Sequence, residues 1–278
     1  MDYIYFLKVH IQMEMKMDKK FITGFFAFSA MFMPFCATSY AHAEMKTQIE
    51  LLFRNHPELI LNVLSDHSEE LLNILQKASD QRRKNSFLNQ WEQDAKIQKS
   101  VLVENRAYMG KKSAPITIVE YTDFSCFYCR KAGLTVANVL RKHPNSVRLV
   151  IKLAGKTEQS KLAAEWFYTA YQLDQKKAWI LYNLIFEGQQ KLEEQGVEYL
   201  KKVALQAGFT PNELKQRAFE KKNDIQALMK LDADEAKRLG FSGTPYFLIN
   251  NLVARGAITE DLFESAIEVA KRHLALKK

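Results

Sequence analysis

Cysteine is scarce in this 278-residue chain, which has three, at positions 36, 126 and 129. That excludes a disulfide-stapled framework, because the last two are near neighbours and a bridge between them would constrain little of the unfolded chain. Histidine is thin as well, with six residues, none of them close to Cys126 and Cys129 in sequence. A zinc site at that pair would need two further ligands, so no metal is expected. The apolar run near the N-terminus, Phe21 to Phe35, falls short of the roughly 20 residues a helix needs to cross a bilayer. Basic clusters with interleaved aromatics are also missing. The net charge is +8, but the charges are spread along helical stretches, so no nucleic-acid partner is expected.

What the N-terminus does have is Lys19-Lys20 before the apolar run and the small-x-small pattern Ala41-His42-Ala43 after it. Together these read as a signal peptide cleaved after Ala43, with the true start at Met1 or Met17. Cys36 follows Met33-Pro34-Phe35 rather than the small residues of a lipidation site, and leaves with the signal. The expected destination is the periplasm, where disulfides persist. The mature chain is left with two cysteines, and their spacing suits chemistry better than stapling.

Residues 44–109 contain no glycine and read as a helical domain. Pro57 suits a first helical turn. Leu59, Ile60, Val63 and Leu64 then form an apolar stripe of helical period. Asp66 with Glu69 resembles a capping box that opens a second helix carrying Leu71, Leu72, Ile74 and Leu75. A third, charged stretch from Asp80 leads to Phe87, Leu88, Trp91 and Ile97. Such short amphipathic helices must cover their stripes against their own catalytic domain, a second copy or another partner. Closed symmetric association is the usual solution, so residues 44–109 are read as an oligomerisation domain and the chain as a homodimer.

The texture changes near Gly110. Ile116-Thr117-Ile118-Val119-Glu120-Tyr121 is a β-branched run that predicts a buried strand, and Val147–Leu153 a second one after a helix from Arg130 to His143. Residues 158–239 read as a helical insertion. Pro245–Ile249 and Leu252–Arg255 flank Asn250-Asn251, a hairpin turn signal, and a helix closes the chain. The expected fold class is α/β, preceded by the small all-helical domain, with residues 110–278 catalytic.

Cys126-Phe127-Tyr128-Cys129 stands between the first of these strands and a helix. The first turn of a helix offers unpaired N–H groups and the positive end of the dipole, which favour a thiolate. Cys126 is therefore the expected nucleophile, and Cys129, one turn in, the group that attacks a mixed disulfide on Cys126 and releases its partner. Gly243-Thr244-Pro245 precedes an apolar strand, and X-Pro is the linkage for which a cis peptide is cheap. A cis Pro245 would present the Thr244 backbone beside Cys126. Phe127, Tyr128, Thr244 and Pro245 are the expected client-contacting residues.

With these motifs in hand, residues 112–278 resemble the DsbA-like family of thioredoxin-fold proteins. The strand entering Asp123-Phe124-Ser125-Cys126, the helical insertion, Gly243-Thr244-Pro245-Tyr246-Phe247, the hairpin and the last helix carry the likeness. Asn55-His56-Pro57-Glu58-Leu59-Ile60-Leu61 looks like the dimerising extension of the Com1-like branch. The resemblance implies a thioredoxin fold with a helical insertion, a redox-active disulfide and no other cofactor. It also implies a buried acid, Glu120, with a basic partner at Lys152 serving Cys129 as a proton relay. Leu153-Ala154-Gly155 departs from the family pattern beside Lys152. Three activities stay open: an isomerase of misfolded exported proteins, an oxidase recharged by a membrane redox partner, and a dimeric holdase. Tyr128 before the second cysteine, in place of an imidazole, and Thr244 favour the isomerase.

Overall fold

In the computed structural model the described residues are 44–276. The expected signal peptide and Cys36 lie outside them. Contacts divide the chain into two units, Met1–Ala78 and Ser79–Lys278.

In the first unit, residues 44–55 are helical, and α1 (Pro57–Asp66) opens with Pro57 in its first turn, where the missing N–H leaves no bond unmade. No residue of α1 is buried. Leu59, Ile60, Val63 and Leu64 are all exposed, as are Leu72, Ile74 and Leu75 at the start of α2 (Ser68–Asp94). Helix α2 is one 27-residue element where the sequence suggested two, because the charged stretch from Asp80 holds neither glycine nor proline to break it.

The second unit is built on a five-stranded sheet in the order β1-β3-β2-β4-β5. These strands are β1 (Tyr108–Gly110), β2 (Ile116–Thr122), β3 (Val147–Leu153), β4 (Tyr246–Ile249) and β5 (Leu252–Arg255). Strand β2 takes the centre because its residues are apolar on both faces, as a fully covered strand requires. It pairs in parallel with β3, Ile116 opposite Val147, and antiparallel with β4, Ile118 opposite Ile249. The parallel step is the crossover through α3 (Phe127–Lys142). Asn250 turns the β4–β5 hairpin at φ 52°, a conformation Asn tolerates.

Alternation then sorts side chains by face. Ile116, Ile118, Leu149, Ile151, Phe247 and Ile249 enter the large core with α3 and α10 (Glu260–Ala275). Val119, Tyr121, Val150, Leu248 and Val253 form a smaller cluster on the other side. Residues 158–238 supply six helices: α4 (Glu158–Leu173), α5 (Gln175–Glu187), α6 (Gln189–Gln195), α7 (Val197–Gln206), α8 (Pro211–Glu220) and α9 (Lys222–Arg238).

The composition boundary near Gly110 and the contact boundary at Ala78–Ser79 differ, and the second half of α2 accounts for the difference. Trp91 is fully buried, with Phe87 stacked on it at 5.0 Å between ring centroids. Its Nε1 donates to the Val253 carbonyl at 2.8 Å, and Gln90 Nε2 donates to the same oxygen at 2.9 Å. Asp94 Oδ2 accepts from Val253 N at 3.0 Å. These side chains satisfy the outer backbone of edge strand β5, which would otherwise be open to pairing with another chain.

Candidate functional site

The end of β2 delivers the chain into α3 through a turn fixed by Asp123, which is fully buried. Its Oδ1 accepts from Ser125 N at 2.8 Å, from the Ser125 hydroxyl, and from Ser160 Oγ at 2.9 Å. Its Oδ2 accepts from Lys156 N at 2.7 Å. One carboxylate thus ties the active-site turn to the loop after β3 and to α4. Sequence reading quoted Asp123 within the motif and gave it no role.

Cys126 is the N-cap of α3, with extended backbone at φ −89°, and its Sγ accepts from Cys129 N at 3.3 Å. Its thiol also reaches the Thr244 carbonyl at 3.4 Å, and the Thr244–Pro245 peptide is cis. Cys126 is half-buried while Cys129 is buried, and neither is in a disulfide. The two thiols are driven apart. The Cys129 side chain hydrogen-bonds the Cys126 sulfur and, with Thr244 and the first-turn N–H groups, brings Cys126 down to about 6 against the opposing effect of burial. Burial, then the bond to Cys126, pushes Cys129 far above its usual value. At neutral pH the accessible sulfur is therefore the thiolate and the covered one the thiol, the division of labour thiol exchange needs. Alkylation of the reduced protein at Cys126 should accelerate through a midpoint near pH 6. An unperturbed thiol would do so near pH 8.5, so a pH series with mass detection on Cys126 checks the reading.

Phe127 and Tyr128 stand out from α3, 67% and 61% exposed, edge to face with ring centroids 5.6 Å apart. Gln189, at the start of α6, donates to the carbonyls of Phe124 and Cys126 at 2.8 and 2.9 Å. No sequence signal marks it, because it lies 60 residues from the motif and only the folded insertion brings it there.

The expected Glu120–Lys152 pair does not form. Glu120 lies opposite Ile151 and Tyr121 opposite Lys152, so the two side chains leave the sheet on opposite faces. Glu120 sits on the large-core side, fully buried, with neither carboxylate oxygen hydrogen-bonded. Burial raises it to about 8, with the nearby Thr122 hydroxyl pulling the other way. Lys152, also buried, instead binds the Glu235 carboxylate and reaches Asp232 Oδ1 at 3.2 Å. Asp232 is held by Arg106, Nε to Oδ2 2.9 Å, and Glu235 accepts from the Tyr121 hydroxyl and from Leu102 N at 2.7 Å. Burial would raise Glu235, but the bonds from Lys152 and Tyr121 hold it below the usual carboxylate range. This network locks α9 to β3. A cavity of about 200 Å³ lies over it, lined by Lys152, Asp232, Phe241 and Thr244 among others. Among the described residues no group of three or more His, Cys, Asp or Glu is arranged to hold a metal ion.

The family model described as Thioredoxin matches residues 102–269. The "Probable disulfide bond formation protein D" of Bacillus anthracis is 29% identical over 154 residues, 52% of this chain and 70% of the relative. A thioredoxin-like oxidoreductase from Silicibacter pomeroyi DSS-3 superposes with a TM-score of 0.54 at 27% identity, covering 61% of this chain and 94% of that one. BdbD from Bacillus subtilis shares the fold, with a TM-score of 0.55 at 22% identity over 63% of this chain and 98% of that one. With Cys126 capping α3 beside the Thr244 carbonyl and Cys129 covered one turn in, and with the family model matched over residues 102–269, the chain belongs to the thioredoxin family, as a DsbA-like thiol:disulfide oxidoreductase.

Proposed function

We propose that the mature protein is an exported, dimeric oxidoreductase that reshuffles disulfides in misfolded exported proteins. The observation that carries this reading is the placement of the two cysteines, Cys126 half-buried at the N-cap of α3 and Cys129 covered one turn further in. The Cys126 thiolate attacks one sulfur of a client disulfide, forming a mixed disulfide and releasing the other client sulfur as a thiolate. A different client thiolate, one already present or one released when the first attacks a second client disulfide, then displaces Cys126. Either way the bonds are exchanged with no net electron flow. Resolution by Cys129 competes, and it requires that thiol to lose its proton, which burial opposes. The mixed disulfide thereby gains time for isomerisation. When Cys129 does attack, the ionised fraction of Glu120, the buried carboxyl on the same side of the sheet, is proposed to take up its proton. The Thr244 backbone and the Phe127–Tyr128 pair are the proposed client contacts. The exposed stripe of α1 supports a second copy as the cover for the N-terminal helices.

A second reading has its own support. Stabilising the thiolate of Cys126 stabilises the reduced form and makes the disulfide more oxidising, which suits a dedicated oxidase recharged by a membrane redox partner. The name carried by the Bacillus anthracis relative points the same way. Thiol alkylation in intact cells separates the two. Cys126 and Cys129 mostly reduced is the result expected for the isomerase, and mostly oxidised would replace it with the oxidase.

A further inference from the structure

One side chain of the helical insertion holds the active-site turn. Gln189 Nε2 donates to Phe124 O at 2.8 Å and to Cys126 O at 2.9 Å, so both hydrogens of its amide are committed to carbonyls on either side of Ser125. The corner that aims it is tightly built. A Cβ on the preceding Gly188 would lie 1.8 Å from the Tyr199 hydroxyl, and that hydroxyl donates to Leu184 O at 2.7 Å. Tyr199 therefore wedges the α5–α6 junction, and only glycine fits beside it.

The Cys126 carbonyl is a shared acceptor. It also takes the first-turn bonds from Cys129 N at 3.1 Å and Arg130 N at 3.2 Å. Cys129 N is in turn divided between that oxygen and Cys126 Sγ at 3.3 Å. A donor that satisfies the oxygen from outside leaves more of the Cys129 N–H for the sulfur. The same donor opposes the partial negative charge that two carbonyl oxygens place near a thiolate. Both effects have one sign.

We infer that Gln189 is a positioning residue that sets the thiolate character of Cys126 through the carbonyls of Phe124 and Cys126. The helical insertion is then part of the redox machinery as well as a cover for the sheet. This rests on Cys126 being the nucleophile, and it adds that the resting protein is a stronger oxidant with Gln189 than without it.

The test is an ultraviolet thiolate titration of the reduced full-length mature chain. Gln189→Met keeps the side chain's length and removes both donors. The titration step that disappears in Cys126→Ser should move up by roughly half a unit or more in Gln189→Met, the size of effect one modest hydrogen bond allows. The equilibrium with glutathione should shift toward the protein disulfide by a similar factor, about threefold. Should Gln189→Met fail to fold, Gln189→Asn keeps an amide too short to span both carbonyls and should show the same shift. A step that stays at the wild-type pH in a folded variant overturns the inference. A step that disappears in Cys129→Ser and survives in Cys126→Ser overturns the assignment of the nucleophile instead.

Discussion

Cys126→Ser is expected to reduce insulin-disulfide reduction and client reshuffling to the uncatalysed rate, whereas Cys129→Ser should keep the first step and accumulate covalent client adducts. The asymmetry follows from position. Cys126 is half-buried at a helix N-cap, accepting from Cys129 N and reaching the Thr244 carbonyl. Cys129 is 1% exposed and meets no client directly. With Cys126 gone, Cys129, the other cysteine among the described residues, is covered and held far above its usual ionisation. With Cys129 gone, a mixed disulfide can be released only by a client thiol or an added one. Non-reducing gels of each variant incubated with a scrambled client, with mass mapping of the adducts, read both outcomes. Retained activity in Cys126→Ser with loss in Cys129→Ser would reverse the roles.

Deleting residues 44–78 should leave a folded monomer that reduces simple disulfides at near wild-type rates but refolds a scrambled client poorly. The cores of the catalytic unit draw on no described residue before Phe87, so they are left whole by the cut. On the proposed dimer, the cut also removes the cleft between two copies in which a client would be held during exchange. Extending the deletion through residue 108 should behave very differently. It removes Trp91, whose loss alone costs about 3–5 kcal/mol by comparison with other buried aromatics. It also uncovers the β5 edge. Against a typical domain stability of about 5–15 kcal/mol, that cut should yield an unstable or aggregating protein. Light scattering of the intact mature chain and of both truncations, with thermal melts, distinguishes these outcomes. A monomeric intact chain would return the α1 stripe to packing within one molecule.

Much of the reaction centre was legible in the sequence because its parts are short and chemically specific. Two cysteines one helical turn apart after a β-branched run, and a proline in front of an apolar strand, each name a mechanism at a fixed spacing. Strands β2 to β5 and the insertion followed from β-branched runs and glycine breaks, whereas β1, Tyr108–Gly110, lies at the end of the stretch read as helical. What was not legible depended on pairing across the sheet. Glu120 and Lys152 look like partners by family likeness, but a side chain's face is set by register, and the observed one sends them to opposite cores. The partners Lys152 does have, Asp232 and Glu235, sit on α9 some 80 residues away, and nothing local announces them. The boundary near Gly110 followed composition, while contacts follow Trp91, whose burial comes from a strand more than 150 residues later. Gln189 was missed for the same reason.

The central claim is that Cys126 and Cys129 form a reversible redox couple, and equilibration of the purified mature chain in glutathione buffers tests it most directly. Mass spectrometry after acid quenching should show the two cysteines switching together between dithiol and an intramolecular disulfide, with little glutathione adduct retained. Two cysteines that stay reduced across the series, or a stable glutathione adduct on Cys126 that Cys129 never resolves, would contradict it.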